Sequence, residues 1–192
     1  MLVTLALYHR DTLSRGNSRR IFGYEAYHWG LLLMSSSSSS SSTTAATPPD
    51  SPLYSFDATD ASDIDPVTFR LRNPSMDWWL RAEAPPAPNP KLIGQLVVGT
   101  IAADALPNDT AAEDNEFQRL RAFFQTVPLP VKNTHPQQSC VTWAVAALAE
   151  MQTRGWVRPD VDLPAFQDAA LAYADARMGE NATEPPVKEY FA

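Results

Sequence analysis

The chain has 192 residues, of which 44% are hydrophobic and 19% are charged, and its formal net charge is −7 at pH 7. This composition is typical of one globular domain over residues 1–192. The net negative charge argues against a nucleic-acid-binding protein, because phosphate neutralisation needs a clustered basic surface. The single cysteine excludes an intramolecular disulfide and a metal site built from several thiolates, and it favours a reducing, cytoplasmic compartment. No apolar run approaches the roughly 20 residues of a membrane span.

The first half of the chain predicts a β-sheet. Segments rich in aliphatic and aromatic residues are expected to be strands: residues 2–9, 23–34, 51–60, 76–84 and 91–102. The polar segment SRGNSRR at residues 14–20 is expected to be a solvated hairpin loop between the first two strands. Residues 35–50 begin with eight consecutive serines and predict a flexible surface loop, across which the second and third strands can pair.

The second half of the chain predicts helices. Residues 111–127 and 162–179 carry apolar side chains at helical spacing. Between them, CVTWAVAALAEMQTR at residues 140–154 is apolar around most of its circumference, which is typical of a helix buried against a sheet. The tail, residues 180–192, is expected to be a loosely held extension. Strands followed by helices indicate an α+β fold, with an antiparallel sheet packed on the buried cysteine-bearing helix.

Cys140 is the first candidate for chemistry. If Ser139 caps the helix and Gly155 ends it, Cys140 lies in the first turn. Unpaired amides and the helix dipole favour a negative charge there, and the thiolate is the nucleophilic form of cysteine. The alternative is that Cys140 is a small buried hydrophobic residue, as free cysteines often are.

His28 is the second candidate, because it interrupts the otherwise apolar strand YEAYHWGLLLM, and a buried imidazole without a partner is costly. Strand alternation puts His28 on the face of Gly30, which leaves room for an approaching group, whereas Tyr27 and Trp29 point the other way. A histidine that faces the N-terminus of a buried cysteine helix is the arrangement of papain-like thiol enzymes. Two alternatives stay open: His28 is a core residue bonded to a backbone carbonyl, or His28 and Cys140 never meet.

The motifs YHWGLLL and SCVTWAVAAL resemble those of circularly permuted papain-like proteins of the NlpC type, which include the lecithin:retinol acyltransferase-like and PPPDE-type families. In those families the histidine strand precedes the cysteine helix, as it does here. The pairing YHW…CxxW is also similar to that of a group of uncharacterised fungal proteins of about this length. The resemblance implies a permuted papain-like fold in which Cys140 is the nucleophile and His28 is the general base.

Further residues could complete such a site. Ser55 and Asp57 share one face of the strand that is predicted to pair with the histidine strand, and a carboxylate at Asp57 would orient an imidazole. Gln138 could supply an oxyanion donor alongside the Cys140 amide. Trp143, one helical turn after the cysteine, could form the wall of an apolar pocket or simply pack in the core.

The function that these residues favour is that of a cysteine-dependent hydrolase or acyl/amide transferase. Cys140 would attack the carbonyl of a small molecule or peptide, and His28 would move the proton. The three histidines are not spaced like the ligands of a metal site, and the sequence contains neither a calcium loop nor a glycine-rich phosphate loop. Neither a metal nor a cofactor is therefore expected. The alternative is a non-catalytic binding or structural module on the same fold.

Overall fold

The structure is a computed structural model, and it describes residues 1–35, 52–62, 64–65, 67–102, 104–106, 116–179, 182 and 184–190. Within those residues the chain folds into a mixed α+β structure on one six-stranded sheet. The strands are β1 (Leu2–His9), β2 (Tyr27–Met34), β3 (Pro52–Thr59), β4 (Trp79–Glu83), β5 (Leu92–Thr100) and β6 (Val187–Glu189). Their order is β4-β3-β2-β1-β5-β6, and all neighbours are antiparallel except β5 and β6. The predicted α+β class and the mostly antiparallel sheet are confirmed.

The two central strands, β1 and β2, give the sheet two different faces, because successive side chains of a strand point in opposite directions. Leu5 of β1 lies opposite Leu31 of β2, and both are fully buried in the main hydrophobic core. Tyr8 lies opposite His28 on the other face. His28 therefore points away from core-facing neighbours such as Trp29, as strand alternation predicts.

Four α-helices accompany the sheet in the described part of the chain: α1 (Gly16–Phe22), α2 (Glu116–Gln125), α3 (Cys140–Thr153) and α4 (Leu163–Met178). α3 packs against β2 and β3, and α4 packs against β5. Because α3 is apolar on most sides, it can be enclosed, and Trp143, Leu148 and Met151 are among its buried residues. Gly155 follows the helix with a φ of 71°, a left-handed conformation that suits glycine at a helix end. No described helix is both long and apolar enough to cross a membrane.

Two local predictions are wrong. The segment at residues 14–20, predicted as a solvated loop, forms most of α1 instead. Two guanidinium nitrogens of Arg19 each lie 2.6 Å from a carboxylate oxygen of Asp175 on α4, so a tertiary ion pair holds this helix in place. The second strand begins at Tyr27 rather than at residue 23, because Gly23–Ala26 forms a 3-10 helix.

The predicted helices at residues 140–154 and 162–179 match α3 and α4 to within one residue at each end. The Asp162 side chain caps α4 by accepting a hydrogen bond from the Ala165 amide at 3.1 Å. α2 falls inside the predicted helix at residues 111–127, of which residues 111–115 lie outside the described part.

Two other predictions concern segments that the structure describes only in part. Apart from Ser35, the predicted serine-rich loop at 35–50 lies outside the described residues. In the C-terminal segment, expected to be a loose extension, Val187–Glu189 pairs in parallel with β5. The Tyr173 hydroxyl of α4 lies 2.8 Å from the Pro185 carbonyl oxygen, so a core residue holds the start of this strand.

Candidate active site

The N-terminus of α3 is closed by a reciprocal pair of hydrogen bonds. The Ser139 hydroxyl accepts from the Val141 amide at 3.3 Å, and the Thr142 hydroxyl accepts from the Ser139 amide at 3.2 Å. This capping box fixes the first turn, where helix amides lack intrahelical partners. Cys140 is the first residue of the helix and is only 2% exposed. The helix dipole at this position favours a negative charge on its sulfur.

His28 and Asp57 form a hydrogen-bonded pair at the end of the β2–β3 ladder. His28 Nε2 lies 2.8 Å from Asp57 Oδ2. The ladder stops at Leu31 and Phe56, so Asp57 lies one residue beyond it and His28 three residues beyond it. Gly30 permits this close approach, since a β-carbon at that position would be 3.1 Å from the Asp57 β-carbon. The space beside the histidine is therefore taken by the carboxylate that was predicted to orient it.

Arg81 binds the same carboxylate. It is the direct cross-strand partner of Asp57 between β3 and β4. Arg81 Nε donates to Asp57 Oδ1 at 3.0 Å, and a terminal guanidinium nitrogen donates to Oδ2 at 3.0 Å. Burial raises the pKa of Asp57, but the hydrogen bonds and charges of His28 and Arg81 outweigh burial and hold the pKa below its ordinary value. Asp57 is therefore an ionised carboxylate at neutral pH.

The His28 ring also interacts with Cys140. Burial lowers the pKa of His28, but its electrostatic interaction with Cys140 and its hydrogen bond to Asp57 outweigh burial and raise the pKa to about 10. Because Nε2 is bonded to Asp57, Nδ1 is the ring nitrogen left for the sulfur. A protonated imidazole donates from both nitrogens, so His28 can donate hydrogen bonds to a carboxylate and to a thiolate at the same time.

Of the three residues predicted to carry the chemistry, His28 and Asp57 are hydrogen-bonded to each other, and Cys140 acts electrostatically on His28. α3 packs against the two strands that carry the other two residues. Ser55, the alternative third residue, shares the Asp57 face, but it lies opposite Glu83 in the β3–β4 ladder. Of the two alternatives, Asp57 is the one hydrogen-bonded to the imidazole.

The two residues predicted to form an oxyanion or pocket contact have other surroundings. Gln138 Oε1 accepts from the Val131 amide at 2.8 Å and so braces the loop before α3. Trp143 is buried in the core, with its ring centroid 5.8 Å from that of Phe124. Its indole nitrogen has no hydrogen-bond partner among the described residues. A role for Gln138 or Trp143 in binding a substrate stays a prediction.

Sequence reasoning missed two residues of the site, Arg81 and Tyr8. The ring centroid of Tyr8 lies 6.0 Å from that of His28. Burial, assisted by the charge of Asp57, raises the pKa of Tyr8 far above its ordinary value, so the hydroxyl stays protonated. Both positions follow from strand register, which pairs Tyr8 with His28 and Arg81 with Asp57. The only local signal was a charged residue inside the strand WLRAE.

A cavity of about 440 Å³ opens beside His28. Polar side chains dominate its lining, including those of Arg10, Thr59, Asp60, Arg81, Asn89 and Lys91. A second cavity, of about 340 Å³, is lined by Ser139, Val141 and Thr142 at the start of α3. Cavities therefore border both the histidine strand and the first turn of the cysteine helix.

Within the described ranges, no group of three or more His, Cys, Asp and Glu side chains could hold a metal ion. Comparison of the chain with protein-family models, with curated proteins and with solved structures finds no match. His28, Asp57 and Arg81 form one group of ion pairs, hereafter the charged cluster.

Proposed function

We propose that the protein is a cysteine-dependent hydrolase or acyl/amide transferase that acts on the carbonyl group of a small molecule or peptide. In this proposal Cys140 is the nucleophile, His28 carries the proton and Asp57 orients the ring. The supporting observation is one imidazole that is bonded to Asp57 at 2.8 Å and also interacts with Cys140. The order of the histidine strand before the cysteine helix further supports a circularly permuted papain-like fold.

The proposed reaction proceeds through an acyl-enzyme. The Cys140 sulfur attacks the carbonyl carbon, and the electron pair of the C=O bond moves to oxygen. When this tetrahedral species collapses, the bond to the leaving group breaks and protonated His28 gives its proton to that group. Neutral His28 then removes a proton from water or an amine, which attacks the thioester and releases the sulfur as thiolate. Water completes a hydrolysis, and an amine completes an amide transfer.

Two features of the site support this cycle. The Asp57 carboxylate keeps Nε2 protonated, leaves Nδ1 for the sulfur and stabilises the imidazolium. The start of α3 brings the positive end of the helix dipole to Cys140. The amides of the first turn are therefore candidate donors to a developing oxyanion.

The surroundings of the site favour a polar substrate. The cavity beside His28 is lined mainly by charged and other polar side chains, which suit a peptide or a small polar molecule. The nucleophile must stay reduced to act, and the chain has one cysteine, which supports a reducing compartment such as the cytoplasm.

The test is the rate at which iodoacetamide alkylates Cys140 in the folded protein, followed by mass spectrometry. At about pH 6.5 the wild-type thiol should react faster than free cysteine, which is then almost entirely protonated. His28→Ala should lower this rate roughly 10-fold or more and restore the pH dependence of an ordinary thiol. His135→Ala is the matched control, because His135 is exposed in the loop before α3, and it should leave the rate unchanged. Ordinary reactivity of the folded wild-type thiol would remove the support for catalysis.

A non-catalytic binding or structural module is the second candidate, and the 2% exposure of Cys140 favours it, since a nucleophile must meet its substrate. An activated ester such as p-nitrophenyl acetate separates the two candidates. Catalysis requires an acyl group on Cys140 that forms and is then lost with turnover. A binding module would give no adduct on Cys140 while the protein stays folded.

A further inference from the structure

Arg81 contacts the Asp57 carboxylate of the proposed site. It reaches both oxygens of the Asp57 carboxylate, each at 3.0 Å, and Oδ2 also accepts from His28 Nε2 at 2.8 Å. Oδ2 thus accepts hydrogen bonds from two cationic side chains. The Asp57 side chain is only 8% exposed. The Arg81 side chain is 29% exposed and lines the cavity beside His28.

This geometry has two physical effects on His28. A bidentate guanidinium–carboxylate pair fixes the plane of the carboxylate, because two parallel hydrogen bonds must be kept at once. The positive charge of Arg81 also offsets part of the negative charge that Asp57 presents to the imidazolium, and such effects are strong where water is excluded. Without Arg81, the full negative charge of Asp57 would raise the proton affinity of the His28 imidazole.

We propose that Arg81 is a positioning residue of the Cys140–His28 site, which holds Asp57 in the orientation that His28 needs and offsets part of the carboxylate charge, so that the imidazolium gives up its Nδ1 proton more readily. The inference rests on the proposed function, in which protonated His28 releases that proton to the leaving group. An acid whose proton is held too tightly is a poor general acid near neutral pH. Arg81 therefore acts on the reaction through Asp57.

Other ionisable groups also face His28. Tyr8 of β1 lies with its ring centroid 6.0 Å from the imidazole, and Cys140 approaches from α3. The cavity beside His28 adds the ionisable residues His9, Arg10, Asp11, Asp60 and Lys91. Among the described residues, the hydrogen-bond partners of the Asp57 carboxylate are His28 and Arg81. A change at Arg81 is therefore transmitted to His28 mainly through Asp57.

The test is an NMR titration of the His28 imidazole in the folded chain, with its signal identified among three histidines by comparison with His28→Ala. In Arg81→Gln the titration midpoint of His28 should rise by about 1 pH unit, because loss of a cation stabilises the bound proton. In Arg81→Lys, which keeps the charge but not the bidentate geometry, the midpoint should lie between those of the wild type and Arg81→Gln. Arg19→Gln is the matched control, since Arg19 forms a similar pair with Asp175, and it should leave the midpoint unchanged.

The direction of the shift separates the charge offset by Arg81 from a simple loosening of the site. A loosened site, in which Asp57 loses its orientation, would let the pKa of His28 fall towards its ordinary value of about 6.5, whereas loss of the charge offset requires a rise in every folded Arg81 variant. No change or a fall in Arg81→Gln, or in Arg81→Lys if only that variant folds, overturns the proposal. Alkylation of Cys140 is measured in parallel. If the thiol has ordinary reactivity but the His28 midpoint still rises, the proposed function fails and the effect of Arg81 on His28 stands.

Discussion

Replacing Asp57 with asparagine perturbs the centre of the charged cluster. Asp57→Asn keeps the shape of the side chain but replaces the carboxylate, which accepts hydrogen bonds from His28 and Arg81, with a neutral amide. A charge-assisted hydrogen bond contributes about 1.5–3 kcal/mol, and breaking a buried ion pair costs about 3–5 kcal/mol. The side chains of His28 and Arg81 are 20% and 29% exposed, so both can recover some hydration. We therefore expect the free energy of unfolding to fall by about 3 kcal/mol near pH 6.

The size of this loss should depend on pH, with a sign set by two pKa shifts. The pKa of Asp57 is lowered on folding, so its contribution is present above the unfolded pKa and is lost as pH falls through the folded pKa. The pKa of His28 is raised to about 10, so its contribution is complete below the unfolded pKa and is lost as pH rises towards that value. The stability difference between the wild type and Asp57→Asn should be largest between about pH 5 and 6.5 and smaller on either side.

Urea and thermal unfolding, followed by far-UV circular dichroism in acidic, near-neutral and alkaline buffers, measure this difference. For a chain of this size, about 3 kcal/mol corresponds to a fall in Tm of about 6–12 °C. Asp160→Asn is the matched control, because Asp160 also forms a bidentate pair, with Arg158, but at the surface, so its Tm should change little. A difference between the wild type and Asp57→Asn that is independent of pH, or that grows above neutral pH, would refute the reasoning.

Three further substitutions test local geometry, each by urea unfolding. Ser139→Ala removes the hydroxyl that accepts from the Val141 amide, and we expect a loss of about 1 kcal/mol; no loss would mean that the cap is unimportant. Trp143→Phe removes an indole N–H that is buried without a described partner, so the loss should stay below about 1.5 kcal/mol, and a larger loss would indicate a partner for that nitrogen. Gly99→Ala would make a β-carbon overlap the carbonyl oxygen of Trp156, so the backbone must move and the protein should be clearly destabilised.

The elements that could be predicted from the sequence are those with a strong periodic signal or a cap. α3 and α4 both begin after a capping side chain, and α3 is also one long apolar run, which is why their ends are correct to within one residue. α1 could not be predicted, because it has a polar sequence and is held by the contact between Arg19 and Asp175, which are far apart in the chain. β6 has only three residues, and its position beside β5 depends on tertiary contacts such as that of Tyr173 with Pro185.

The same distinction applies to the site. Cys140 and His28 stand out locally, one as a lone cysteine after a capping serine and the other as a polar ring in an apolar strand. Asp57 could be predicted only as an alternative to Ser55. Strand alternation puts both side chains on one face of the strand but does not show which of them contacts His28. Arg81 could not be predicted, because its pairing depends on the β3–β4 register, and a shift of one residue would turn its side chain to the other face.

The charged cluster is expected to contribute less to stability than apolar residues of similar volume would. Removing two charges from water costs several kcal/mol for each ion, and replacing a buried ion pair by apolar residues of similar volume often raises stability by about 1–4 kcal/mol. Positions where a chain departs from the most stable choice are expected at functional sites. The triple variant with His28→Leu, Asp57→Leu and Arg81→Met should therefore unfold at a Tm no lower than that of the wild type, although Asp57→Asn alone is destabilising. Alkylation of Cys140 in the triple variant should have the pH dependence of an ordinary thiol. If the triple variant lost as much stability as Asp57→Asn, the cluster would be a stabilising element of the fold, and its charges would no longer indicate a function.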